Sequence, residues 1–145
     1  MLIRLYRISN WLHRHKVPVI PKMIYGLNYM LFNCIVPPQC TIGKNTRFAY
    51  HGIGVVIHRD AVIGENCMIG QGVTIGGKAG HSRLPVIGDN VYIAAGSRII
   101  GSVNIGNDVV IGCNSVVLHD CPPGSVWAGV PARMIRTEAK YKYHR

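Results

Sequence analysis

Acidic residues are scarce in this chain and absent from its first 59 positions. Across 145 residues, six Asp and Glu stand against 16 Lys and Arg, a formal net charge of +10. That balance favours anionic partners such as phosphates or an acidic membrane surface. Nucleic acid is set aside as a partner, because no recognised binding motif accompanies the charge and the basic residues are spread over tails and corners. No Cys-x-x-Cys pair occurs among the five cysteines, Cys34, Cys40, Cys67, Cys113 and Cys121. An odd count without paired spacing argues against a disulfide framework and a zinc site, and suits a reducing cytoplasm. A metal-dependent lyase would need three His ligands on neighbouring structural units, and no such trio is spaced along the chain, so no metal is expected. No uncharged run reaches the ~20 apolar residues that span a bilayer. The stretch from Met23 is interrupted by Gly26, Asn28, Asn33, Pro37 and Pro38. Residues 1–16 mix Arg and His with Leu and lack the apolar core of a secretory signal, so a cytoplasmic location is expected.

What the chain does have is apolar residues, at 48% against 15% charged, together with 17 glycines and eight prolines. Such a chain folds, and its corners suit an all-β repeat. The repeat is explicit. Bulky aliphatics recur every six residues at Ile57, Ile63, Ile69 and Ile75, then at Ile87, Ile93, Ile99, Ile105, Ile111 and Val117. The interval from Ile75 to Ile87 is two periods, so the phase survives it. Ile42 and Phe48 share the spacing but are offset by three. Small or β-branched residues precede most of these positions by two, as at Ala61, Cys67, Val73, Ser97 and Ser115. Gly follows at Gly64, Gly70, Gly76, Gly88, Gly106 and Gly112. An α-helix cannot keep a period of six on one face. Short strands with a tight corner between them can, with the aliphatic turned inward and Gly relieving the corner. Three strands make a triangular coil, and stacked coils bury a continuous core.

Residues 1–36 read differently. Leu2, Leu5, Ile8 and Leu12 follow helical spacing, and Pro21 suits the first turn of a second helix carrying Ile24, Leu27 and Leu31 on one face. The segment is read as a helical cap on the open end of the core. The acid-free charge and Tyr6, Trp11, Tyr25 and Tyr29 also suit a peripheral contact at the inner face of a membrane.

Function belongs where the period breaks. One break reads Ala-Tyr-His-Gly-Ile-Gly-Val-Val between Phe48 and Ile57. The other runs from Gly76 to Val86. With YHGIGVVI from Tyr50, GQGVTIGG over residues 70–77, RLPVIGD ending at Asp89 and AGVPAR over 128–133, residues 37–136 resemble the catalytic domain of serine O-acetyltransferases and related enzymes of surface-polysaccharide biosynthesis. The resemblance implies a left-handed parallel β-helix, a homotrimer with sites between subunits, and acetyl-CoA as donor substrate. It divides the chain into a cap (1–36), the acetyltransferase unit (37–136) and a basic tail (137–145).

The resemblance also assigns roles. His51 is the general base that deprotonates an acceptor hydroxyl, a task suited to an imidazole titrating near neutrality. Tyr50, His81 and Arg83 fall on the acceptor side. Gly77, Ala95, Cys113, His119 and Arg136 fall on the acetyl-CoA side, with Lys140 and Lys142 as further partners for its phosphates. Cys113 is read as a passive small residue. Two departures bear on the acceptor: Tyr50 stands where serine acetyltransferases have Asp, and Leu84 where they have a second His. A buried ammonium needs a compensating carboxylate, whereas a sugar hydroxyl does not. A sugar of a surface polysaccharide or its precursor is therefore the expected acceptor, with serine the alternative.

Overall fold

A computed structural model describes residues 1–139. Two helices, α1 (Leu2–Arg14) and α2 (Ile20–Phe32), precede a left-handed parallel β-helix. Its strands are β1 (Thr41–Ile42), β2 (Arg47–Phe48), β3 (Val56–Ile57), β4 (Val62–Ile63), β5 (Met68–Ile69), β6 (Thr74–Gly76), β7 (Val86–Ile87), β8 (Tyr92–Ile93), β9 (Arg98–Ile100), β10 (Asn104–Ile105), β11 (Val110–Ile111) and β12 (Val116–Val117). Every third strand joins the same sheet. Sheet 1 is β1-β4-β7-β10 and sheet 3 is β3-β6-β9-β12. Sheet 2 stacks β2-β5-β8-β11, then β13 (Val126–Gly129), and ends on β14 (Ala132–Arg136), which returns antiparallel.

Pairing is in register, so like side chains stack through the core: Ile42, Ile63, Ile87 and Ile105 on sheet 1, and Ile57, Ile75, Ile99 and Val117 on sheet 3. All ten in-phase aliphatics are buried. Burying each such side chain is worth about 1.5–3 kcal/mol, so the six-residue repeat is the main source of stability.

The two phase breaks are resolved. After Phe48 the extra three residues are taken up by a 3₁₀ turn, Ala49–Gly52. After Ile75 no strand is skipped: β7 follows β6 directly in the coil, and the second period is a loop. The phase survives there because the loop adds six residues.

The glycines after the aliphatics serve a purpose other than relieving a corner. Several face the backbone of the next coil so closely that a Cβ would overlap it. At Gly70 it would lie 2.5 Å from Ala95 N and 2.8 Å from Ala95 Cα. Positive φ at the corners between sheets 1 and 2 is instead taken by Asn45, Asn66, Asn90 and Asp108. Asn and Asp tolerate the left-handed region better than other side chains, and the runs IGKN, IGEN, IGDN and IGND record this.

The helices also differ from the expected faces. Leu2, Tyr6 and Ser9 are the buried residues of α1, while Ile8 is exposed. In α2, Pro21 and Asn28 are buried and Leu27 and Leu31 face outward. Because α2 is apolar on nearly every side, its composition does not define the packed face. α1 lies over the first coil. Tyr6 Oη donates to Cys40 O at 2.5 Å, Asn10 Nδ2 donates to Pro38 O at 2.7 Å, and the Arg7 guanidinium donates to Ile42 O and Gly43 O. Among the described residues, no helix is long and apolar enough to cross a membrane.

Candidate active site

The prism has three long edges, and the two phase breaks lie on different ones. The edge between sheets 2 and 3 carries the 3₁₀ turn with Tyr50 and His51. The edge between sheets 3 and 1 carries the 77–85 loop with His81 and Arg83.

The His51 turn is strained. Tyr50 (φ 47°) and His51 (φ 57°) are successive residues in the left-handed region, followed by Gly52 at φ 71°. Each non-glycine residue held there costs on the order of 1 kcal/mol, and such conformations persist only where the surroundings enforce them. Here the surroundings are the N-terminal helices. Leu2 packs so tightly under Gly52 that a Cβ there would lie 2.8 Å from Leu2 Cδ1. Gly54 N–H donates to Asn33 O at 2.9 Å, tying the turn's exit to the end of α2. The Phe32 ring lies 5.6 Å from the His51 ring, centroid to centroid. Phe32 is a site neighbour that the motif did not reveal. His51 is exposed, and among the described residues its ring has no hydrogen-bond partner. Tyr50 is also exposed.

On the same edge, one coil apart, lie Ala95 and Cys113, joined by Asn114 N–H donating to Ala95 O at 2.9 Å. Small side chains there leave the backbone open to an extended ligand arm. Gly77 and His119 fall on the Arg83 edge. Arg136 ends β14, paired opposite Val126 on sheet 2. Lys140 and Lys142 lie outside the described residues. A single chain thus brings Tyr50, His51, Ala95 and Cys113 to one edge and Gly77, His81, Arg83 and His119 to another. It does not bring the two sets together.

On the Arg83 edge a cleft of about 560 Å³ opens between the loop and the coil corners, walled by Asp60, Ser82, Arg83, Leu84, Ser102 and Asn104. His81 is exposed on the loop, with its backbone N–H donating to Lys78 O. Among the described residues, no three His, Cys, Asp or Glu side chains converge as a metal site would require.

The cysteines divide by burial. Burial pushes the thiols of Cys34 up to about 11 and of Cys40 and Cys121 up to about 12, and raises Cys67 as well. Raised thiols stay protonated and inert at neutral pH, whereas Cys113 is exposed. Iodoacetamide at pH 8 is therefore expected to label Cys113 alone in the native protein, with the other four reacting only after unfolding. Intact-mass spectrometry counts the adducts, and two or more rapid labels at pH 8 would contradict this assignment.

Comparison with known proteins agrees with the fold. Residues 47–77 and 85–121 match the bacterial transferase hexapeptide (six repeats) family. The chain is 39% identical over 132 residues to the serine acetyltransferase of Synechococcus elongatus, covering 90% of this chain and 54% of that one. A serine acetyltransferase solved in complex with CoA superposes with a TM-score of 0.85 at 34% identity, covering 92% of this chain and 55% of that one. One solved in complex with cysteine reaches 0.89 at 33% identity, covering 97% and 55%. The chain therefore spans a little over half the length of these relatives. It carries the repeats of the bacterial transferase hexapeptide family and resembles the serine acetyltransferases.

Proposed function

We propose that this protein is an acetyl-CoA-dependent O-acetyltransferase of the serine acetyltransferase type, with His51 as general base. The observation that carries the reading is the strained turn, which holds an exposed imidazole on the same edge as the small residues Ala95 and Cys113. The His51 ring accepts the proton of an acceptor hydroxyl as its oxygen attacks the acetyl thioester carbon. The C–S bond then breaks, and coenzyme A leaves as the thiol. Ala95 and Cys113 would border the donor's extended arm, while Gly77 and His119, on the other edge, would reach it only from a neighbouring subunit.

The relatives weigh the acceptor toward L-serine, since those matched are serine acetyltransferases. The sugar acceptor expected from Tyr50 and Leu84 finds no support among them. It remains a second reading on one observation: Tyr50, an exposed neutral side chain, occupies the position before the base. An acetyl-transfer assay with purified protein, comparing L-serine with simple and nucleotide sugars, decides. Serine is expected to be acetylated, and transfer to a sugar alone would reverse the order.

The two edges imply an assembly. His51 and Arg83 act on one acceptor only if neighbouring subunits bring their edges together, as a trimer of prisms would. We accordingly take residues 37–136 as the acetyltransferase unit and 1–36 as its cap. Light scattering is expected to return about three times 15.9 kDa. A monomeric mass at micromolar concentration would leave the two half-sites apart.

A further inference from the structure

We infer that Asp60 is the specificity-determining carboxylate of the acceptor site, and that the cleft it shares with Arg83 is built for a small zwitterion, an amino acid with a free ammonium and a free carboxylate. The inference rests on the acetyltransferase reading and names the substrate class of that site. Asp60 is the first acid in the chain and lies at the corner between β3 and β4. The 77–85 loop occupies the same edge one coil later, so Asp60 and Arg83 become walls of one cleft although 23 positions separate them.

Three features of this cleft point to a zwitterion. First, its two charges are opposite and do not close on each other. The Asp60 carboxylate faces Arg59 Nε at 3.5 Å and His58 Nδ1 at 3.8 Å. Among the described residues, the Arg83 guanidinium has neither an ion pair nor a hydrogen bond. A guanidinium matches a carboxylate in bidentate geometry, and a carboxylate is the natural acceptor for an ammonium. Second, the remaining polar walls, Ser82, Ser102 and Asn104, are neutral and leave the two charges to set orientation. Third, Asp60 is anchored. Its backbone N–H donates to His58 Nδ1 at 3.2 Å, which fixes that corner and holds the His58 ring beside the carboxylate. The carboxylate that Tyr50 and the acid-free first 59 residues fail to supply is thus present on the other edge. A neutral sugar would have no use for it.

The test uses the full-length protein and two readouts, equilibrium binding of L-serine and steady-state acetyl transfer. Asp60→Asn is expected to raise both the Kd and the KM for L-serine about tenfold or more, since a hydrogen bond to a charged group is being lost. The kcat should change less than about threefold and the KM for acetyl-CoA should not move. Asp60→Glu should recover part of the loss. 3-Hydroxypropionate, which keeps the hydroxyl and carboxylate but lacks the ammonium, should bind more weakly than serine and equally to wild type and Asp60→Asn. Unchanged serine binding in Asp60→Asn, or wild type binding 3-hydroxypropionate as tightly as serine, or no serine binding at all, would overturn the inference. Serine binding that depends on Asp60 without any acetyl transfer would uphold it and overturn the acetyltransferase reading.

Discussion

His51→Ala is expected to lower acetyl transfer by about 10²–10⁴-fold, the usual worth of a general base, with little change in melting temperature. The second half of that expectation follows from the turn. His51 is exposed and its ring makes no hydrogen bond within the described chain, so truncation removes mainly the contact with Phe32. Its φ of 57° is no more favourable for Ala than for His, so backbone strain is not relieved. His51→Asn is the sharper variant, because Asn tolerates that backbone yet cannot accept the proton. Both variants should keep the acetyl-CoA KM, since the donor side uses other residues. Near-normal turnover in either would move the base elsewhere, and His81 would be the next imidazole to replace.

How much of this was legible in the sequence depends on whether a position is determined by its own coil or by its neighbours. The aliphatic ladder was legible because each interior site of a prism admits one bulky apolar side chain, so Ile57 through Val117 print the period directly. The loop after Ile75 was harder, since a six-residue insertion leaves the phase of a six-residue repeat untouched. The packed face of α2 could not be read, because apolar residues line nearly all of it and α1 selects among them. His51 was proposed from a motif. Phe32 and Leu2, which hold its turn, were not, as both act across about 20 to 50 positions of chain. Asp60 was passed over for the same reason: nothing in the sequence places it beside Arg83.

Gly70→Ala should be among the most destabilising single-methyl additions the molecule offers. A Cβ at Gly70 would meet Ala95 N at 2.5 Å, Ala95 Cα at 2.8 Å and Ala94 C at 2.9 Å, all backbone atoms that no rotamer change can move aside. Overpacking against fixed backbone costs about 3 kcal/mol, roughly 10 °C in Tm for a chain of this size. The coils would have to spread on the edge that carries His51, so activity should fall along with stability. Gly26→Ala provides the contrast. That glycine lies within α2 with nothing inside 4 Å of an added Cβ. The same methyl should stabilise there by up to about 1 kcal/mol, through helix propensity. Thermal melts of the two variants side by side would decide. Equal shifts would mean that coil spacing is softer than the backbone contacts imply.

The antiparallel return of β14 bears on how the molecule avoids polymerising. A coil whose strands pair in register with an identical coil above is a template for any other coil, including one from another molecule. Bare ends of such a repeat would add head to tail without closure and grow into a filament. On sheet 2, β14 lies against β13 with reversed polarity. It buries Ala132 and presents Arg133 and Arg136 outward. An incoming parallel strand on that sheet meets the wrong hydrogen-bond pattern and a row of positive charge. At the opposite end, α1 occupies the carbonyls of Cys40, Ile42 and Gly43 on the first coil. Among the described residues, the repeat thus carries a reversed strand on sheet 2 at one end and a helix over its first coil at the other.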